Sequence, residues 1–422
     1  MNRQSIILRA ERIFKTDIRY VGKNGFWLML GQAIAVTFGL MTSVAFANLL
    51  PQHEYGVYKF IFAVASVLGA LQLSGLRQSV VQAVARGFDS TVLRAVITSL
   101  KWSSIMVGFG FLIAGYYYLQ GNTTFALGII LVTITNALVG SLGLYKGYLG
   151  GKEKFKLVTL HQTALMFTNS SAVVVALLVT DNILYIILAH CISTISVLLV
   201  LSFSVLKNIN HNTKSSSTSM RFGKHLSVQG FFVTIAQHAD KIILFQFLGS
   251  VELARYMFAL LLPDQLRTTV NNIFNIVIPR YSTKDDSALR ESIRKKLFPF
   301  TTLLMIPAII YILLAPYIYH LLFPVYEDVV IFSQIFALEI IMIPTVAFIG
   351  TYFNVREKTQ ILYVCKISSS IARVIFITLG VFFYGIIGAV VAVLFARLFQ
   401  VLVFGFYYLK VPVENTEPVK LI

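Results

Sequence analysis

The chain has 422 residues, of which 57% are apolar and 13% charged, and its mean hydropathy is +0.78. Water-soluble domains carry roughly 25% charged residues, so most of this exterior must face hydrocarbon, which excludes an ordinary soluble fold. A net charge of +17 would point to nucleic acid in a soluble protein. Here the basic residues gather in loops between apolar runs, so no nucleic-acid partner is expected and the charge reports orientation in a membrane.

The first 24 residues are basic (Arg3, Arg9, Arg12, Lys15, Arg19, Lys23), with Ile6, Ile7, Leu8, Ile13, Phe14 and Ile18 recurring at near-helical spacing. They lack the compact apolar region and small-residue cleavage site of a secretory signal and read as an interfacial amphipathic segment over 1–24. Continuous apolar runs of about 20 residues follow, each long enough to cross a bilayer as a helix. A barrel would show alternating segments of about 10 residues instead. The predicted spans are 25–48, 57–76, 102–119, 125–145, 157–179, 183–206, 225–248, 252–278, 298–322, 330–353, 361–383 and 386–409. The span 252–278 is long and holds Pro263, so it is expected to tilt or bend.

Lys and Arg alternate between connections. They fill the N-terminus and loops 77–101, 146–156, 207–224, 280–296, 354–360 and the tail from 410, which together hold all but seven of the 35 basic residues. The connections 49–56, 120–124, 180–182, 249–251, 324–329 and 384–385 contain none, but do contain Glu54, Asp181, Glu327 and Asp328. This alternation predicts an all-α polytopic membrane protein with twelve transmembrane helices and both termini cytoplasmic. The polar stretch 207–224 divides the chain into six-helix bundles over 25–206 and 225–409, with 410–422 as a cytoplasmic tail. A shift of 198 residues lays Gly25 on Gly223, Leu50 on Leu248, Tyr58 on Tyr256 and Phe60 on Phe258. Six spans is an even number, so the repeat is parallel, with a pseudo-two-fold axis along the membrane normal.

The seven remaining basic residues are Lys59, Lys241, Arg255, Arg267, Lys366, Arg373 and Arg397. Lys59 and Arg255 lie near span ends, where a long side chain can reach the interface. Arg373 is twelve residues into its span, about 18 Å deep at 1.5 Å per residue, and Arg397 is similarly deep from the other side. Lys366, Ser370 and Arg373 share a helical face, as do Asp264, Arg267, Thr268, Asn271 and Asn275. Ser227, Thr234, Gln237, His238 and Lys241 form a third polar stripe, with Asp240 beside it. Asp240, Asp264 and Glu339 are the embedded carboxylates. Asp264 can pair with Arg267 one turn away, whereas Glu339 has no cation on its own helix and needs a partner from another span or a proton. Charges at this depth face a cavity or a partner. A cavity with excess cations suits an anionic ligand, and Arg in particular suits phosphate. Cys191 and Cys365 sit within apolar runs and read as buried small hydrophobes. No zinc-type His spacing and no Walker loop is present, so the sequence offers no catalytic residues, metal ligands or cofactor site. Prolines concentrate in the second half (Pro263, Pro279, Pro299, Pro307, Pro316, Pro324, Pro344), where bent helices and hinges are expected.

Four segments carry a resemblance: KNGFWLMLGQ (23–32), NLLPQHEYGVY (48–58), YKGYLGGKEKF (145–155) and DKIILFQFLGSVELARYMFALLL (240–262). In order and spacing they resemble the bacterial polysaccharide (O-antigen-type) flippases of the multidrug/oligosaccharidyl-lipid/polysaccharide exporter superfamily, over roughly 23–400. Pro51 stands where that family commonly has Gly, and Arg255 where it has a smaller or neutral residue. The resemblance implies a multi-pass protein of the bacterial cytoplasmic (inner) membrane, surrounded by membrane lipids. It implies that the protein moves an undecaprenyl-diphosphate-linked oligosaccharide for O-antigen, capsule or related polymers outward by alternating access, coupled to a proton or sodium ion. Polysaccharide polymerase and chain-length proteins would be further partners. On this reading Arg373, Arg397, Lys241, Arg267 and Lys366 contact the diphosphate or acidic sugar, while Asp240, Asp264 and Glu339 carry the ion or pair with the cations.

The alternative is a multidrug or other small-molecule efflux antiporter of the same superfamily. It needs a carboxylate-rich cavity in the first half, yet spans one to six hold no mid-membrane Asp or Glu. A peptidoglycan-precursor flippase typically has two further spans. A polymerase or glycosyltransferase needs a large outer loop, and the longest outer connection here, 49–56, is short.

Overall fold

The computed structural model describes residues 18–209, 215–277, 286–356 and 358–412, and these are helical almost throughout, with no strand among them. In chain order the helices are α1 (Ile18–Leu49), α2 (Gln52–Gly69), α3 (Leu76–Ala85), α4 (Thr91–Leu119), α5 (Thr123–Leu142), α6 (Tyr145–Gly151), α7 (Phe155–Val179) and α8 (Ile183–Leu206). They continue with α9 (Ser217–Leu248), α10 (Ser250–Val277), α11 (Asp286–Leu322), a 3-10 turn (Pro324–Val329), α12 (Val330–Ala337), α13 (Glu339–Val355) and α14 (Thr359–Lys410). Among the described residues nine helical segments are long and apolar enough to cross a membrane. This is a multi-pass membrane protein. In hydrocarbon every backbone N–H and C=O must be bonded within the chain, and a helix does that without neighbours.

The helix breaks have local causes. Pro51 lacks an N–H and separates α1 from α2. Asn182 caps α8 by accepting from the Leu184 N–H at 3.0 Å, and Ser216 caps α9 through the Ser219 N–H at 3.2 Å. Gly385, at φ +58°, interrupts the 52-residue α14, a conformation that favours glycine. The predicted spans 361–383 and 386–409 fall on either side of it. Of the expected proline effects, α10 runs unbroken through Pro263 and α11 through Pro299, Pro307 and Pro316, while Pro324 opens the 3-10 turn. Cys191 and Cys365 are free and buried, as the sequence suggests.

The structure adds two short helices, α3 and α6, inside stretches read from sequence as loops. They pack against each other and help fill a core of Leu76, Val80, Val84, Val92, Ala95 and Leu144. Helix α11 begins at Asp286, so Arg290 and Arg294 lie on a helix rather than in a loop. Residues 1–17 of the expected amphipathic segment, part of the linker and most of the tail lie outside the described residues.

Three of the basic connections, 77–101, 146–156 and 207–224, meet at one end of the molecule. Lys152 pairs with Asp89 at 2.8 Å, Arg94 reaches Ser215 at 3.2 Å, and the Ser216 N–H donates to Thr91 at 3.0 Å. Three connections without basic residues, 49–56, 249–251 and 324–329, meet at the opposite end. There Asn48 donates to the Leu322 carbonyl at 3.2 Å, Gln52 to the Val325 carbonyl at 3.0 Å, and His53 meets Ser250 at 2.6 Å.

Residues 18–206 and 215–412 are joined chiefly through α2 and α3. Helix α2 packs on α9 and α10, and α3 on α9. Phe60 stacks on Phe245 at 3.9 Å and Tyr55 lies 4.6 Å from Phe258. At the basic end the Gly75 N–H donates to Ser227 at 3.0 Å. At the opposite end Gly56 lets two backbones touch: a Cβ there would stand 1.9 Å from the Ser250 carbonyl oxygen. Helices α2 and α10 begin at Gln52 and Ser250, the same 198-residue offset that aligns Tyr58 with Tyr256. Overpacked positions cost about 1–3 kcal/mol. Gly56→Val is therefore expected to lower the melting temperature of the detergent-purified protein by several degrees, whereas Gly69→Ala, which meets nothing within 4 Å, leaves it unchanged.

Candidate functional site

Helices α9, α10, α13 and both parts of α14 enclose a polar cavity of about 510 Å³. All eight charged residues singled out from the sequence line it: Lys241, Arg267, Lys366, Arg373, Arg397, Asp240, Asp264 and Glu339. Gln237, His238, Thr268, Asn271, Ser369, Ser370 and Gln400 complete its polar wall. Asn275 falls where side chains are not described. Ser227 lies instead at the seam, buried and bonded to the Gly223 carbonyl at 2.7 Å.

The convergence follows from helical spacing. Lys366, Ser370 and Arg373 advance at i, i+4, i+7 and so stay on one face of α14. The break at Gly385 returns the chain, bringing Arg397 and Gln400 to the same cavity. Asp264, Arg267, Thr268 and Asn271 do the same along α10.

The carboxylates are engaged with the cations. Asp240 is 1% exposed. It accepts from Arg373 at 3.1 Å and from the Tyr256 hydroxyl at 3.0 Å, and its other oxygen accepts from the Lys241 N–H at 2.9 Å. Asp264 pairs with Arg267 on the same helix. Glu339, whose own helix offers no cation, finds Arg267 of α10 at 3.6 Å, and its Oε1 is buried without a hydrogen-bond partner.

The cations are in excess. The Lys241 ammonium group meets the His238 ring at 3.2 Å, and Arg397 donates to Gln400 at 2.6 Å. Among the described residues neither forms an ion pair with a carboxylate, nor does Lys366. The buried Nε groups of Arg373 and Arg397 lack acceptors. Uncommitted donors in fixed planes around a water-sized-to-ligand-sized space can hold an oxyanion such as phosphate. A larger cavity of about 1300 Å³ lies between α11, α13 and α14. Its walls are mostly apolar and no cluster of uncommitted polar groups converges in it, so it is the weaker candidate.

Tyr256, which fixes Asp240, was visible in the sequence only as a repeat marker, because its partner lies on the neighbouring helix. The structure gives Lys59 and Arg255, expected near the interface, specific partners. Arg255 is tied to Glu252 at 2.7 Å and Asp328 at 2.5 Å. Lys59 lies over the rings of Tyr55 and Tyr58, 5.1 and 5.8 Å from their centroids, where α2 meets α9 and α10.

The fold is that of transporters in the MOP superfamily. It is similar to the lipid II flippase MurJ in an inward closed conformation (TM-score 0.71, 12% identity, covering 92% of this chain and 88% of that one). It is also similar to an inward-facing multidrug resistance MATE family transporter (TM-score 0.64, 14% identity, 89% and 93% covered). A third likeness is a MOP superfamily transporter from Pyrococcus furiosus, described by the reverse polarity of its binding pocket (TM-score 0.62, 12% identity, 92% and 95% covered). The chain belongs to the family described as polysaccharide biosynthesis protein, which matches residues 21–283. No curated protein sequence matches it.

Removing one partner of a buried ion pair leaves an uncompensated charge and costs about 3–5 kcal/mol, whereas removing both costs much less. Arg373→Met alone is therefore expected to lower thermal stability in detergent strongly. Arg373→Met combined with Asp240→Asn should regain most of the loss, as thermal melting of the two variants will show.

Proposed function

We propose that this protein is a flippase that moves an undecaprenyl-diphosphate-linked oligosaccharide from the cytoplasmic to the outer leaflet of the bacterial inner membrane. The excess of cations over carboxylates in the polar cavity carries this reading, because a diphosphate is an anion that Arg and Lys recognise directly. Membership in the polysaccharide biosynthesis family supports it. In this reading twelve spans form two six-helix bundles, 25–206 and 225–409, related by a parallel pseudo-two-fold repeat, joined by the linker 207–224 and followed by the tail 410–422. Both termini face the cytoplasm, with the basic end. The bundles rock about the seam at α2, exposing the cavity to each side in turn.

Arg373, Arg397, Lys241, Arg267 and Lys366 hold the diphosphate or an acidic sugar. Asp240, Asp264 and Glu339 compensate those cations when the cavity is empty and exchange partners when it fills. Glu339, loosely held and with one oxygen free, is the group best placed to take a proton or sodium ion during the cycle. The glycan released outside passes to a polymerase and chain-length proteins, for O-antigen, capsule or a related polymer.

Likeness to multidrug transporters keeps an efflux antiporter as the second reading. A cationic drug would meet repulsion in this cavity, so that reading requires an anionic cargo.

In a strain lacking this protein, complete lipid-linked repeat units are expected to accumulate at the inner leaflet while surface glycan disappears, and the chain restores both. Normal surface glycan with no trapped intermediate would contradict the reading. Among the described residues Arg397 and Lys366 form no ion pair with a carboxylate, so their loss strands none. Substituting both (Arg397→Gln with Lys366→Gln) should reduce surface glycan about tenfold or more at an unchanged level of folded protein in the membrane, measured by glycan blot and fluorescence-detected size exclusion.

A further inference from the structure

The two arms of α14 each carry two faces, and each face lines a different cavity. Lys366, Ser369 and Arg373 on one arm, with Arg397 and Gln400 on the other, face the polar cavity. Val364 and Ser368, with Phe399 and Leu402, face the larger cavity of about 1300 Å³. The two cavities have no lining residue in common. Drug-sized ligands occupy roughly 300–1,000 Å³, so the larger space suits a longer molecule, and its mostly apolar walls suit hydrocarbon. It is a groove rather than a closed chamber: Val364, Leu402, Phe406 and Leu409 in its walls are exposed. It lies toward the end where the basic connections meet, since Tyr363, beside Val364, donates to the His225 carbonyl of α9 at 3.4 Å.

Cations mark its rim. Arg294 of α11 lines the groove. Lys410 of α14 stands over the ring of Phe406, 4.3 Å from its centroid. Among the described residues neither forms an ion pair with a carboxylate. Glu291, which also lines the groove, is paired with Lys295 at 2.6 Å. Arg290 is committed elsewhere. It donates to the Tyr352 hydroxyl at 2.7 Å and to the Val411 carbonyl at 2.5 Å, which ties the end of α14 to α11 and α13 and holds the rim in shape. An apolar groove between membrane helices with cations at one mouth has the polarity of an anionic phospholipid, acyl chains inside and phosphate at the rim. The polyprenyl chain of a cargo fits less well, because the cations proposed to hold its diphosphate lie on the opposite face of α14.

We propose that the groove between α11, α13 and α14 binds an anionic diacyl phospholipid of the phosphatidylglycerol type, with its phosphate at Arg294 and Lys410. The bound lipid braces from behind the wall that carries Arg373 and Arg397 into the polar cavity. Assigning this lipid to the cytoplasmic leaflet rests on the orientation proposed above, whereas its binding does not.

The test uses the full chain, delipidated in detergent and titrated with phosphatidylglycerol or with zwitterionic phosphatidylethanolamine. Retained lipid is read by native mass spectrometry and stability by thermal melting. Wild type is expected to retain phosphatidylglycerol in preference to phosphatidylethanolamine and to melt several degrees higher with it. Arg294→Gln with Lys410→Gln should lose about tenfold or more in affinity for phosphatidylglycerol, and with it the preference. Gly405 lines the groove, and a Cβ there meets nothing within 4 Å. Gly405→Phe therefore fills the groove while leaving the rim cations in place, and should melt as wild type does in detergent alone but lose the lipid and its stabilisation. Equal retention of the two lipids by wild type, or wild-type affinity for phosphatidylglycerol in either variant, would overturn the proposal. So would displacement of phosphatidylglycerol by farnesyl diphosphate, which would give the groove to the cargo, or retention gained only on removal of 413–422, which would give it to the tail. The diphosphate site across α14 is tested separately by Arg397→Gln and survives any of these results.

Discussion

The carboxylate of Asp240 is the anchor on which the polar cavity depends. Buried charge is tolerated inside a membrane protein only when paired and hydrogen-bonded. Asp240 satisfies this through Arg373 of α14, Tyr256 of α10 and the Lys241 N–H of its own helix. That single group ties α9, α10 and α14 together at the depth where the cavity lies. It also fixes the plane of Arg373 and leaves its Nε without an acceptor. The pair stabilises little by itself. Its effect is to hold a guanidinium in one orientation next to cations that have no carboxylate of their own.

The second constraint is the seam. Helix α2 is the main contact between the two parts of the chain, and it touches α9 and α10 with aromatic rings and, at Gly56, with bare backbone. The polar bonds across it include His53 with Ser250, Asn48 with Leu322, Gln52 with Val325 and Gln246 with Tyr117 towards one end, and Gly75 with Ser227, Arg94 with Ser215 and Thr91 with Ser216 at the other. Two packed bodies joined in this way can exchange one set of end contacts for the other without disturbing their own cores, which is what alternating access requires.

The parts legible from sequence were those set by the membrane itself. A charge in a hydrocarbon layer needs a partner or a cavity, so Arg373, Arg397, Glu339 and the polar face of α10 could be picked out by depth and spacing, and they do line one cavity. Lysines and arginines alternate between connections, and the structure brings three basic ones (77–101, 146–156 and 207–224) together at one end and three without basic residues (49–56, 249–251 and 324–329) together at the other. What stayed hidden depends on which helix neighbours which. The polar role of Tyr256 needs Asp240 from α9. That Lys59 lies over Tyr55 and Tyr58 beside the contact of Phe60 with Phe245 also needed the neighbouring helix. The short helices α3 and α6 bury their apolar faces on each other, so neither has the length or the hydropathy of a span. The pairing of Arg255 with Asp328 was not legible because the two lie far apart in sequence.

The central claim, that this chain carries a lipid-linked diphosphate across a bilayer, is tested most directly by reconstitution. Purified protein is placed in liposomes whose inner leaflet contains a fluorescent polyprenyl-diphosphate oligosaccharide, and the fraction reached by a membrane-impermeant quencher is followed under an imposed ion gradient. Wild type is expected to bring the labelled lipid to the outer leaflet faster than protein-free liposomes do, and Arg397→Gln to do so more slowly than wild type. Movement no faster than in protein-free liposomes, or equal movement by the Arg397→Gln variant, would contradict it.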